Sequence, residues 1–113
     1  MKRLLAATLL LPAAAFAHAH LQKSSPAEGA TLVVAPKSVQ LQFSEAAQLT
    51  AASVQRDGEA KQELAHPVVA AAKQVDVSLP ALPGGHYSLA WRVLSADGHV
   101  MAGTLHFSVG APR

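Results

Sequence analysis

The chain has 113 residues, a formal charge of +2 and no cysteine. That length suits one domain and not two, and the lack of cysteine excludes disulfide bracing and thiolate chemistry. Lys2 and Arg3 account for the whole positive excess; without them acids and bases balance, which argues against nucleic acid or anionic lipid as a partner.

The first element does not read as part of a fold. Lys2 and Arg3 precede an almost wholly apolar run, residues 4–16, and small residues follow it. This is the pattern of a secretory signal peptide. A transmembrane anchor is the alternative, but the run falls short of the roughly 20 residues a span needs. No later run is long enough either, so the mature protein is expected to be soluble and not inserted in a membrane. Two small-x-small sites offer themselves for cleavage, Ala15-Phe16-Ala17 and Ala17-His18-Ala19. The domains expected are a signal peptide, 1–17, and one exported domain, 18–113, which holds all six histidines. The Lys-Arg start looks bacterial and makes the periplasm the expected destination.

Beyond the leader the apolar period is mostly two. Val39, Leu41 and Phe43 alternate with Ser38, Gln40, Gln42 and Ser44. Val75, Val77 and Leu79 alternate with Gln74, Asp76 and Ser78. Tyr87, Leu89, Trp91 and Val93 alternate with His86, Ser88, Ala90 and Arg92, and Leu105, Phe107 and Val109 with Thr104, His106 and Ser108. Such alternation marks strands with one face buried. Turn residues fall between the runs: Ser25-Pro26 with Glu28-Gly29, Pro36, Asp57-Gly58, Pro80 with Pro83-Gly84-Gly85, and Asp97-Gly98. Residues 65–73 are alanine-rich and admit a helical turn, although Pro67 and Val68-Val69 lean towards a short strand. About seven short strands predict an antiparallel β-sandwich with Greek-key connections, with Trp91 as a core anchor.

Function must then come from particular side chains on that scaffold. No Gly-x-Ser-x-Gly elbow, phosphate-cradling glycine loop or carboxylate pair stands out. The histidines are more informative. Asp97-Gly98-His99 sits between the two strongest strands, and the glycine lets both ligand types turn to one point. For the tripeptide alone a plain tight turn is favoured, with Asp97 capping its own backbone.

The amino terminus changes that balance. Cleavage after Ala17 makes His18 the first residue, with an α-amine and a ring Nδ1 that close a six-membered chelate. The amine, with a pKa of about 7.7–8.0, yields its proton to a metal near neutral pH. His18, His99 and Asp97 together supply nitrogen and oxygen donors that suit Cu(II). Cu(I) prefers sulfur, and Met101 is the sole thioether after the leader. A rival site overlaps this one: His18-Ala19-His20 could bind Cu(II) or Ni(II) through the amine, two deprotonated amides and the His20 ring. It requires residues 19–22 to be free of a sheet. His66, His86 and His106 read as exposed surface positions, with His106 able to approach the site.

These residues resemble the CopC family of periplasmic copper-binding proteins. The resemblance rests on an ordered set: His18-Ala19-His20-Leu21, Ser25-Pro26-Ala27-Glu28-Gly29, Leu41-Gln42-Phe43-Ser44-Glu45, Tyr87 with Trp91-Arg92-Val93, Ser95-Ala96-Asp97-Gly98-His99, and Gly103-Thr104-Leu105-His106-Phe107. It implies an immunoglobulin-like Greek-key β-sandwich or barrel. It implies one Cu(II) per chain, held by His18, Asp97 and His99, with cleavage after Ala17. Glu45 matches a glutamate sometimes proposed near the copper. Some members carry a methionine-rich segment for Cu(I); residues 64–73, the corresponding region, have no methionine, so a Cu(II)-only member is expected.

The leading expectation is a monomeric periplasmic protein for copper homeostasis or resistance. It would buffer Cu(II) or deliver it to an inner-membrane importer of the CopD type. Two alternatives stand beside it. One is a copper oxidase using the terminal histidine, which needs an open coordination position that Asp97 would fill. The other is a metal-free immunoglobulin-like interaction module.

Overall fold

The computed structural model describes residues 20–66 and 69–110. The expected leader 1–17, its expected cleavage point and His18 lie outside these residues, as do Pro67 and Val68. Seven strands follow in order: β1 (Leu21–Ser25), β2 (Ala30–Leu32), β3 (Ser38–Arg56), β4 (Gln62–Glu63), β5 (Ala72–Ser78), β6 (Gly85–Ser95) and β7 (Val100–Val109). The described residues contain no helix, and so none long and apolar enough to cross a membrane.

The period-two runs form β3, β5, β6 and β7, and their apolar members make the core. Val39, Leu41, Phe43, Leu89 and Val93 are at most 1% exposed, and Trp91, Leu105, Phe107 and Val109 pack with them. Burying such side chains is the main favourable term in holding the domain together, at about 1.5–3 kcal/mol each. The sheet order is β1-β3-β6-β7-β2, with β4 and β5 also paired to β3. The long β3 is the hinge of the architecture. Its first half pairs with β1 and β5, and its second half with β6 and β4. Register shifts in β3 fall between Gln42 and Ala47 against β5 and between Leu49 and Ala51 against β6. Such irregularities bend and twist a strand, which lets one sheet curl over its own apolar face into a β-sandwich.

Two local contacts fix the closure. Tyr87 opens β6 on the buried side, and its hydroxyl donates to the Pro83 carbonyl just upstream, a corner of the kind seen in immunoglobulin-like sandwiches. Trp91 meets Phe43 edge-to-face at 5.3 Å and lies directly across from Gly103 of β7. A Cβ on Gly103 would come within 2.4 Å of the indole, so only glycine leaves the ring its place. Gly103→Ala is therefore expected to cost about 1–3 kcal/mol, the usual penalty of overpacking. Thermal unfolding checks it, at roughly 4–8 °C of Tm per kcal/mol for a domain this size; an unchanged Tm would contradict this packing.

The ambiguous stretch resolves partly. Ala65, His66 and residues 69–71 are irregular, and Ala72 and Lys73 open β5. The Gln48 amide donates to the Val69 carbonyl at 2.8 Å, tying this loop to β3.

Candidate metal centre

The turn between β6 and β7 brings Asp97 and His99 together. Gly98 takes a φ of 91°, which only glycine adopts without strain, and its N–H donates to the Ser95 carbonyl at 2.9 Å. The Ser95 N–H donates to the His99 carbonyl at 2.8 Å, closing the loop. The result places Asp97 Oδ2 3.0 Å from His99 Nδ1. The tight-turn reading holds, because the His99 N–H also donates to Asp97 Oδ1 at 3.3 Å, and the same turn brings the two side chains together.

Ser95 is the residue that sequence reasoning overlooked. It is buried, at 4% exposure, and its hydroxyl donates to Asp97 Oδ1 while lying 3.3 Å from the His99 N–H. This hydrogen bond, with help from the ring and backbone N–H of His99 and against some desolvation, holds the Asp97 carboxyl down to about 2. The same hydrogen bonds orient a carboxylate that is ionised through the whole neutral range. The signal available in the sequence was a serine at a buried strand position two residues before the aspartate.

The other end of the site is set by β1 and β3. The His20 N–H donates to Ser44 Oγ at 2.9 Å, and the Ser44 N–H donates back to the His20 carbonyl at 2.9 Å. Leu21 then pairs with Phe43. Two residues further along β3, the Ala46 carbonyl accepts from the Ala96 N–H at 3.2 Å, and Ala47 pairs with Ser95. One stretch of β3 therefore touches both the start of the described chain and the root of the Asp97–His99 turn. Glu45 is exposed on this stretch.

The remaining histidines fall elsewhere. His106 lies seven residues along β7 from His99, about 23 Å at 3.3 Å per residue, so it does not approach the turn. Its ring pairs with Glu28 at 2.8 Å. His86, at the start of β6, contacts Ser108 Oγ at 2.7 Å. His66 is half-buried rather than solvated, with its Nδ1 enclosed. Among the described residues no three histidine, cysteine, aspartate or glutamate side chains form a cluster that could hold a metal. The turn offers two donor types, one imidazole and one carboxylate; for a metal, a third protein donor would have to come from outside the described residues. Imidazole with carboxylate suits a borderline divalent ion.

Comparison with known proteins points to one family. A family model for the CopC domain matches residues 21–110. The chain is 32% identical over 113 residues to the copper transport protein CutJ of Bacillus subtilis, a match covering 90% of this chain but only 20% of CutJ's length. It is 33% identical over 107 residues to protein YobA of Escherichia coli, covering 90% of this chain and 86% of YobA. Among solved structures, CopC from Methylosinus trichosporium OB3b matches with a TM-score of 0.70 at 24% identity, over 85% of this chain and 97% of that one; this likeness is one of fold. PcoC, a methionine-rich copper resistance protein from Escherichia coli, matches with a TM-score of 0.62 at 30% identity, over 82% and 99%.

Proposed function

The chain belongs to the CopC family, and we propose that it is a periplasmic protein of copper homeostasis or resistance that binds one Cu(II) through His18, Asp97 and His99. The observation that carries this reading is the stretch of β3 that joins both parts of the site. Ser44 clasps His20 on both sides, and Ala46 and Ala47 hold the root of the Asp97–His99 turn. Two residues of chain ahead of His20 reach about 7 Å, and two residues of β3 beyond Ser44 cover about the same. A terminal histidine at position 18 is thus within reach of the turn, and a leader 1–17 cut after Ala17 would create it.

The choice of Cu(II) rests on the donors. They are nitrogen and oxygen, and Met101, the sole thioether after the leader, packs against the core. Residues 64–73 offer no sulfur for a second, reduced ion. The clasp of His20 also weighs against the three-residue terminal site, because that site needs the His20 amide deprotonated and this amide is committed to Ser44.

The reading is of a binding protein rather than an enzyme, in keeping with a relative described as a copper resistance protein. A role in delivery, to an inner-membrane importer of the CopD type, draws support from a copper transport protein that contains a segment like this chain.

Copper binding by this set must release protons from the amine and the imidazoles. Cu(II) affinity is therefore expected to fall steeply as the pH is lowered, because protons compete with the metal for the same nitrogens. Competition titrations from pH 7.5 down to 4 test it; a flat affinity across that range would rule out the ligand set.

A further inference from the structure

A second pair of histidines shares one outward face at the far end of the sandwich. In the β6–β7 ladder His86 stands opposite Ser108, and Ser88 stands opposite His106. His86 and His106 are therefore diagonal neighbours, with both side chains exposed. Diagonal positions on adjacent strands have Cβ atoms about 7–8 Å apart or somewhat less, a gap that two imidazoles span when they meet an ion at about 2.0–2.1 Å.

We propose that His86 and His106 form a second site for a divalent ion of the imidazole-preferring class, Cu(II) or Zn(II). Each ring is held from behind at Nδ1: His86 by Ser108 Oγ at 2.7 Å and His106 by Glu28 Oε2 at 2.8 Å. A metal-binding histidine is commonly oriented in this way, one ring nitrogen taken by a hydroxyl or carboxylate and the other presented to the ion. Glu28 does this with both oxygens, since Oε1 also accepts the His106 backbone N–H at 3.0 Å. The turn bearing Glu28 is itself fastened to β7 by the Gly29 N–H, which donates to the His106 carbonyl at 2.7 Å. A carboxylate accepting Nδ1–H selects the tautomer whose Nε2 carries the lone pair, the form a metal takes.

Both histidines line one shallow cleft of about 340 Å³, shared with Asp57, Ser88 and Ser108. Asp57 is anchored beside His86, its N–H donating to the His86 carbonyl at 2.9 Å. Among the described residues no third ligand side chain converges with the two rings. The ion would therefore keep water in its other positions, with Asp57 within reach of that water shell. Such a site is open and exchangeable. It is also separate from the Asp97–His99 turn, because Ser95 lies nine residues along β6 from His86, about 30 Å at 3.3 Å per residue.

The test is a Cu(II) titration of the exported protein followed by amide NMR, with Zn(II) added to the copper-loaded protein as a second arm. The second equivalent of Cu(II) is expected to broaden His86, Ser88, His106 and Ser108 selectively, and Zn(II) to shift the same amides. His86→Ala and His106→Ala should each cut the stoichiometry from two to one, whereas His99→Ala should leave the broadening at His86 and His106 intact. Stoichiometry that stops at one in the unaltered protein would overturn the proposal. So would a second equivalent that broadens only residues 20–22, or one that survives both alanine substitutions.

Discussion

Extending the exported chain by one residue ahead of His18 is expected to lower Cu(II) affinity by roughly a hundredfold or more. Even the loss of a supporting partner costs a metal site about 10–100-fold, and here a ligand itself is lost. The extension turns the α-amine into an amide, which offers no basic lone pair, and leaves only the ring of His18 to bind. The six-membered chelate is gone although no side chain has changed. His20→Ala is the matched control. The backbone of His20 is already engaged on both sides by Ser44, so losing its ring should leave the affinity nearly unchanged. Competition titrations should show the extended chain weakened and His20→Ala unchanged if the turn site binds copper. Loss of copper from His20→Ala as well as from the extended chain would instead assign the metal to the first three residues.

Replacing His99 by alanine should do comparable damage, because the turn then offers a carboxylate without its imidazole. Asp97→Asn is the more discriminating change. The amide oxygen can still accept the His99 N–H that Asp97 Oδ1 accepts at 3.3 Å, so the turn should keep its shape while the negative charge is lost. Ser95→Ala acts one step further back. It removes the hydroxyl that donates to Asp97 Oδ1 and orients the carboxylate, and a fall in affinity of about 10-fold is expected, at the lower end of what supporting partners contribute. Circular dichroism of each variant checks that the fold survives. The order expected is His99→Ala and Asp97→Asn weakest, then Ser95→Ala, then the unaltered protein. Full affinity in Asp97→Asn would remove the carboxylate from the ligand set.

Much of the fold was legible because alternation is a local property. Val39, Leu41 and Phe43, or Tyr87, Leu89, Trp91 and Val93, announce their buried face whatever they pair with, and all of them are in the core. What was not legible depends on partners distant in sequence. The parallel pairing of β2 with β7 leaves no mark on the three residues of β2. Residues 44–56 carry no clean alternation, so the continuation of β3 as one strand serving two neighbours was hidden. His86 and His106 read as plain surface positions, because neither Ser108 nor Glu28 can be assigned to them before the strands are in register.

The site divides in the same way. The approach of Asp97 to His99 was legible because a glycine between them is a local turn signal, and the structure places the two side chains 3.0 Å apart. Ser95 was missed because its importance comes from burial at the strand end, which the turn sequence does not reveal. The clasp of His20 by Ser44 depends on β1 pairing with β3, a contact across 24 residues of sequence. That clasp bears on the choice between two terminal copper sites that the residues alone left open.

The most direct measurement is a native mass spectrum of the exported protein after exposure to one equivalent of Cu(II). It reads the cleavage point and the bound metal in the same ion. The expected species is a chain of residues 18–113 carrying one copper. A chain that begins at His20, or one that begins at His18 and carries no copper, would contradict a site built on the histidine that export exposes.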